Sequence, residues 1–118
     1  MSFQRMDADT AETLAGVVRL LRRAAELVWA AVDTDGAGSP RQALALDIDL
    51  AADEARNLLP DATAVQRPAP VGDQPADLLR SAEQLLRRID TPAAGAAVHG
   101  LRARVGDLVW EANTGVDA

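Results

Sequence analysis

Apolar residues recur along most of this chain at intervals of three and four positions, which places them on one face of an α-helix. Four segments show the pattern, over residues of about 10–32, 40–59, 75–89 and 92–113. No segment shows the sustained alternation and the flanking turn signals that would favour a set of paired strands. The pattern therefore predicts an all-α fold with four helices.

Residues that favour helix starts stand before or at each segment. The predicted N-caps are Asp9, Ser39, Asp73 and Thr91. Prolines at positions 40, 75 and 92 suit the first helical turn, where a missing backbone N–H costs nothing. Within the second segment, the stretch LALDIDL alternates like a strand, but its Ser-Pro start and the lack of a partner strand favour a helix.

The connections between the segments predict how the helices are arranged. DTDGAGS separates the first two helices, and only about Asp90-Thr91 separates the last two, so each pair should form a helical hairpin. The Pro-rich connection over residues 60–74 is longer and suits either a plain crossover or a functional loop. We expect one domain over residues 1–118, an antiparallel four-helix bundle built from two helical hairpins.

The composition excludes several classes of function, whereas it adds little to the prediction of the fold. The 25 alanines favour closely packed helices, and the absence of cysteine excludes disulfides, thiolate metal sites and thiol catalysis. A net charge of −6 disfavours binding to nucleic acid or to an anionic membrane. No apolar run is long enough for a membrane span and no secretory signal is visible, so we expect a cytoplasmic protein.

All twelve basic residues are arginine, a bias that genomic base composition explains. Without lysine, the chain cannot form a lysine Schiff base or a lysine-containing phosphate loop. Most arginines fall on exposed helix faces. Arg22 with Glu26 and Glu83 with Arg87 are four residues apart, which predicts two surface ion pairs.

The two tryptophans, Trp29 and Trp110, lie 81 residues apart, and each ends a Leu-Val-Trp string. At that offset the first and fourth helices share further residues, whereas the second and third do not match. The first and fourth helices should therefore occupy equivalent places in the bundle. Both tryptophans fall at the border of the apolar face, and Trp29 has apolar neighbours there, as expected of a residue at the rim of the core.

On the fourth helix, the border of the apolar face is different, because it contains polar and small residues beside Trp110. We define the helix 4 stripe as His99, Arg102, Gly106, Trp110 and Asn113. Three interpretations stay open: packing under the long loop or against the first helix, a protein–protein interface, or a small-molecule pocket. Tryptophan and arginine are typical hot-spot residues of interfaces, and a glycine one turn before a tryptophan permits close approach.

The residues that could carry catalysis or bind a metal form no complete site. His99 is the only histidine. The helical phase brings no partner carboxylates inward to meet the acidic residues of the second helix. We therefore expect no metal, no cofactor and no catalytic residue. Those acidic residues are Asp47, Asp49, Asp53 and Glu54.

Two known families were compared with the chain, and neither fits. Small acidic carrier proteins have an attachment serine after an aspartate, where Ile48 stands in this sequence. Small secreted helical hairpins with Trp-x-Gly have their tryptophan in the turn between helices, whereas both tryptophans here fall within helical segments.

These observations favour a non-enzymatic helical interaction or regulatory module. It would bind itself, as a homodimer, or another protein through the helix 4 stripe, with Trp29 as its counterpart on the first helix. The alternative is a small-molecule-binding bundle, or a small enzyme, that recognises an anionic ligand near Arg102, His99 and Trp110.

Overall fold

A computed structural model describes residues 8–35, 40–59, 74–89 and 91–114 of the chain. They form four α-helices: α1 (Ala8–Asp35), α2 (Pro40–Asn57), α3 (Pro75–Arg87) and α4 (Thr91–Thr114). The described residues contain no strand, which confirms the predicted all-α class. The LALDIDL stretch lies within α2, as predicted.

α2 and α3 begin at Pro40 and Pro75 as predicted, whereas α1 and α4 begin one or two residues earlier than predicted. α1 begins at Ala8 and α4 begins at Thr91, so Asp9 and Thr91 are helical residues rather than caps. The cap position of α3 is Gln74 rather than the predicted Asp73; the Gln74 side chain makes no capping hydrogen bond, and Pro75 follows in the first turn. The Pro-rich connection lies outside the described residues apart from Gln74, as do the predicted caps Ser39 and Asp73.

Two helices end earlier than predicted because their last turns tighten. The N–H groups of Leu58 and Leu59 donate to carbonyls three residues back, at 3.2 and 3.1 Å, and the chain after Arg87 does the same. Such bonds satisfy carbonyls that a helix end leaves unpaired. The turn predicted after residue 32 also starts later, because α1 continues to Asp35.

The helices pack in the pattern of a bundle. α1 packs against α2 and α3, and α4 packs against the same two helices. α1 and α4 thus have the same neighbours, as expected for helices in equivalent places.

The core is apolar and contains many small side chains. Several alanines are fully buried, and Gly16 is so close to α3 that a Cβ there would lie 3.2 Å from Leu85 Cδ1. No polar or charged residue is buried among the described residues. Burial of each large aliphatic side chain contributes about 1.5–3 kcal/mol. The largest fully buried residues include Leu14, Leu21, Leu44, Ile48, Leu78, Leu79, Leu86 and Leu101.

None of the helices, over the residues described, has both the length and the apolar character needed to cross a membrane.

Candidate functional site

The predicted helix 4 stripe divides into an exposed part and a half-buried part. His99, Trp110 and Asn113 are exposed, whereas Arg102 and Gly106 are half-buried. The half-buried pair lies against α3, because both residues approach groups of that helix. The sequence had suggested the long loop or the first helix as the cover of this stripe, and α3 was not among the expected neighbours.

Arg102 caps the C-terminal end of α3. Its Nη2 donates to the backbone oxygens of Leu86 and Ile89, at 3.0 and 3.1 Å. The Leu86 carbonyl lies in the last turn of α3, where the partial negative charge of the helix is concentrated, and Ile89 follows two residues after the helix ends. A guanidinium there forms charge-assisted hydrogen bonds and complements the helix dipole. Arg102 thus fixes the position of α4 on α3.

Gly106 accommodates a side chain of the same protein. A Cβ at this position would lie 3.1 Å from Oε2 of Glu83, which is tighter than an ordinary van der Waals contact. Glu83 also forms an ion pair with Arg87, at 3.7 Å. The space left by the glycine is therefore next to a carboxylate of α3. We call this line of contacts, from Arg102 through Gly106 to Glu83 and Arg87, the α3/α4 seam.

Trp110 stands one turn beyond Gly106, and 69% of its surface is exposed. This is the largest exposed fraction among the large apolar side chains in the described part of the chain. A tryptophan can bury 150–250 Å² on association, so an exposed one on a regular helix is a large apolar surface that can be covered. The exposure agrees with the helical phase read from the sequence.

Trp29 is different from Trp110 although both end the same tripeptide. Its ring packs against the core, and its indole N–H donates to Oδ2 of Asp49 at 2.8 Å. The hydrogen bond joins α1 to α2 and satisfies the polar end of the ring. Trp29 is thus explained by folding alone.

The carboxylates of α2 are divided between separate partners. Asp49 accepts from Trp29, and Glu54 pairs with Arg104 of α4 at 2.9 Å. On the same side of α2 as Glu54, Asp47 lies near Glu111 of α4.

The surroundings of Glu111, on the side of α4 that faces α2, shift its pKa. Burial raises the pKa of Glu111 above its ordinary value of 4.5, and the charges of Asp47 and Asp107 raise this pKa further. Like charges disfavour a further negative charge beside them, so the shift reports a crowded acidic region between α2 and α4.

No group of three or more histidine, aspartate or glutamate side chains converges as metal ligands would, in the parts of the chain that the structure describes. Two of the α2 carboxylates have separate partners, because Asp49 accepts a hydrogen bond from Trp29 and Glu54 pairs with Arg104.

The surface ion pairs follow the sequence prediction in one case and depart from it in another. Glu83 pairs with Arg87 as predicted. Glu26 pairs with Arg23, at 3.2 Å, rather than with Arg22. Residues three and four apart are both neighbours on a helix, so the spacing alone did not decide between the two arginines.

A depression of about 420 Å³ lies between the end of α1, the end of α4 and the starts of α2 and α3. None of the helix 4 stripe residues lines it. The residues predicted to recognise an anionic ligand are therefore not part of this depression. It is lined by Leu27, Val28, Ala31, Arg41, Leu44, Gln74, Pro75, Ala76, Asp77 and Ala112.

A second exposed apolar feature, on α2, was not predicted from the sequence. Leu46 and Leu50 are four residues apart on α2, and their exposed fractions are 48% and 58%. The only signal in the sequence was the alternating LALDIDL stretch, which leaves apolar residues on opposite sides of a helix.

In comparisons with known proteins, no protein family, curated protein or solved structure matches the chain.

Proposed function

We propose that this protein is a non-enzymatic helical interaction or regulatory module that self-associates through a surface centred on Trp110. The observation that carries the proposal is the exposure of this residue. Trp29 packs against the core, whereas Trp110 exposes 69% of its surface on the same kind of helix. Tryptophan is enriched among the residues that contribute most of the binding energy at protein interfaces.

The position of Trp110 on a regular helix supports binding without a large ordering cost. Arg102 holds α4 against the end of α3, and Gly106 permits close contact between the same two helices. The helix that presents Trp110 is thus fixed before any partner arrives. A preorganised side chain loses less conformational entropy on binding than one on a loop.

We also propose that the bundle is antiparallel and is built from two helical hairpins. Two contacts along the α3/α4 seam support this arrangement. Arg102 reaches Leu86 and Ile89, whereas Gly106, further along α4, lies beside Glu83, which is earlier in α3. Movement forward along α4 thus corresponds to movement backward along α3. Action in the cytoplasm is part of the same proposal.

A second copy of the chain is the proposed occupant because the surface around Trp110 carries both signs of charge. Asp107 is exposed on α4, three residues before Trp110. Arg80 is exposed on α3, three residues before Glu83, and in an antiparallel pair it comes level with Trp110. In a two-fold dimer the same patch meets itself, so a surface with both signs can place arginine opposite aspartate. The tryptophans would then meet near the axis.

Sedimentation velocity of the wild type and of Trp110→Ala, over a wide range of concentrations, tests the self-association. We expect a dimer for the wild type and a monomer for the variant. The matched control is Leu50→Ala, which also removes an exposed apolar side chain but on α2, and it should leave the dimer intact. A wild type that stays monomeric at all concentrations would overturn the proposal.

Circular dichroism and urea unfolding of each variant show whether the fold is preserved. Because Trp110 is mostly exposed, its truncation should change the free energy of unfolding of the monomer by only about 0.5 kcal/mol or less. A large loss of stability would instead mean that Trp110 supports the fold.

The alternative function, recognition of an anionic small molecule near Arg102, His99 and Trp110, has less support. Two backbone carbonyls already accept hydrogen bonds from Arg102, and His99 and Trp110 are exposed rather than enclosed. Thermal-shift measurements with anionic metabolites test this function. A melting temperature that rises with ligand concentration in the wild type but not in Arg102→Met would favour it.

A further inference from the structure

We propose that the outer face of α2 is a docking site for a basic amphipathic helix of another protein. Leu46 and Leu50 would supply the apolar contact, and the carboxylates beside them would bind the basic residues of the partner. We call this surface the α2 ridge and define it by Ala43, Leu46, Leu50 and Asp53.

The apolar part of the α2 ridge lies on the side of the helix that faces away from the core. Leu44 and Ile48 are buried, whereas Leu46 and Leu50 expose 48% and 58% of their surfaces. Ala43 is also exposed, so three apolar residues follow one another at helical spacing. Two leucines four residues apart match the spacing by which one helix contacts another.

Carboxylates border the leucines on both sides. Asp49 lies on the side of α1, where it binds Trp29, and Asp47 lies on the side of α4, near Glu111. Asp53 continues the ridge toward the end of α2. The apolar strip is therefore bordered by carboxylates, which outnumber the two arginines on those borders, Arg56 on the side of Asp49 and Arg104 on the side of Asp47.

Much of this negative charge is not neutralised by ion pairs within the described residues. None of the pairs there includes Asp47, Asp53, Asp107 or Glu111. Burial raises the pKa of Glu111, and the charges of Asp47 and Asp107 raise it further; an incoming cation would relieve the part that these charges contribute. The pairs join Arg23 to Glu26, Arg80 to Asp77, Arg87 to Glu83 and Arg104 to Glu54.

The negative charge of the α2 ridge determines which kind of partner can bind there. A two-fold contact between α2 ridges of two copies would place aspartate opposite aspartate, which is unfavourable. Nucleic acid and anionic membranes carry the same sign as the ridge and would be repelled. A helix with leucines on one face and arginine or lysine on its flanks complements both the apolar strip and its borders.

The inference does not depend on self-association through Trp110. Glu111 lies on the side of α4 that faces α2, whereas Arg102 and Gly106 face α3. Asp107 lies near both surfaces, but the ridge variants are on α2 and Trp110 is on α4, so the two proposals can be tested with separate variants. If both proposals hold, the protein joins two copies of itself to two basic helices.

Fluorescence anisotropy with a labelled synthetic peptide tests the docking site. The probe is a capped helical peptide of about 18 residues made of leucine, arginine and alanine, with leucines on one face and arginines on both flanks. The controls are a scrambled peptide of the same composition and a peptide with glutamate in place of arginine. We expect that only the peptide with leucines on one face and arginines on both flanks binds saturably.

Variants of the ridge decide whether the peptide binds where we propose. The double variant Leu46→Ala/Leu50→Ala should weaken binding by about ten-fold or more, which corresponds to about 1.4 kcal/mol. Asp47→Asn/Asp53→Asn should also weaken it and should reduce its dependence on salt. Trp110→Ala is the matched control and should bind the peptide as tightly as the wild type.

Three results would overturn the inference. The first is equal binding of the scrambled peptide, which would show attraction by net charge alone. The second is unchanged affinity in Leu46→Ala/Leu50→Ala, or no binding to the wild type. The third is loss of self-association in that double variant, which would make the ridge a contact between copies. Failure of the Trp110 proposal would instead appear as a loss of the predicted dimer and would leave peptide binding unchanged.

Discussion

The indole N–H of Trp29 lies 2.8 Å from a carboxylate oxygen of Asp49, and this hydrogen bond joins α1 to α2. It gives the polar end of a half-buried ring a charged acceptor, and hydrogen bonds to charged groups contribute more than neutral ones. Trp110 ends the same tripeptide but stays 69% exposed. Because of this difference, we propose that Trp29 stabilises the fold and that Trp110 binds a partner.

A double-mutant cycle measures the contribution of the Trp29–Asp49 hydrogen bond. Trp29→Phe keeps most of the ring but removes the donor, and Asp49→Ala removes the acceptor. We expect each single variant to lose about 1–2 kcal/mol and the pair to show a coupling of about 1 kcal/mol in urea unfolding. Strictly additive losses would mean that the bond contributes nothing to stability.

Removal of the Arg102 guanidinium should loosen the end of α3. Arg102→Met keeps an apolar stem but removes the donors to the oxygens of Leu86 and Ile89, and we expect a loss of about 2 kcal/mol. Arg102→Lys keeps the charge and should lose less.

The matched control for Arg102→Met is Arg104→Met on the same helix. Arg104 forms an ion pair with Glu54 in which both side chains are more than one third exposed, so its removal should cost less than about 1 kcal/mol. Equal losses for the two variants, measured by urea unfolding, would contradict a capping role for Arg102.

Glu111 should make the fold less stable at neutral pH than at mildly acidic pH. Its pKa in the folded protein is raised above 4.5, so the unfolded chain loses the proton first as the pH rises. The folded state then binds more protons than the unfolded state, and stability falls between the ordinary pKa and the raised pKa.

Glu111→Gln tests this contribution through melting temperatures measured across pH. The variant should melt above the wild type at neutral pH, and the difference should disappear below the ordinary pKa of 4.5. A Glu111→Gln variant that melts below the wild type at neutral pH would refute the proposed repulsion.

The helices could be predicted from the sequence because their determinants are local. Apolar periodicity, alanine content and the prolines at helix starts located all four helices within a few residues. Asp9 and Thr91 were misplaced as caps because small differences in free energy decide where a helix begins, and its ends shift by one or two residues. Helical phase placed both tryptophans at the border of the apolar face, but it did not show that Trp29 packs against the core while Trp110 stays exposed.

The contacts between helices could not be predicted, because they depend on register. Nothing in the sequence shows that the carbonyls of Leu86 and Ile89 end opposite Arg102, or that Asp49 faces Trp29.

Leu46 and Leu50 were missed for another reason. In a helix rich in leucine and alanine, several faces are apolar, and the pattern alone does not show which face the neighbouring helices cover. The buried face of α2 is the one with small side chains, which allow the neighbouring helices to approach closely. It contains Ala45, Ala51, Ala52 and Ala55.

The fluorescence of Trp110 tests the central claim most directly, because the chain has only two tryptophans. In Trp29→Phe, Trp110 is the one remaining indole, and its emission reports its own surroundings. We predict emission typical of an exposed indole in dilute protein, with a blue shift and protection from acrylamide quenching as the concentration rises and the dimer forms. Emission and quenching that stay those of an exposed indole at every concentration, while the protein sediments as a dimer, would contradict the proposal that Trp110 is the contact.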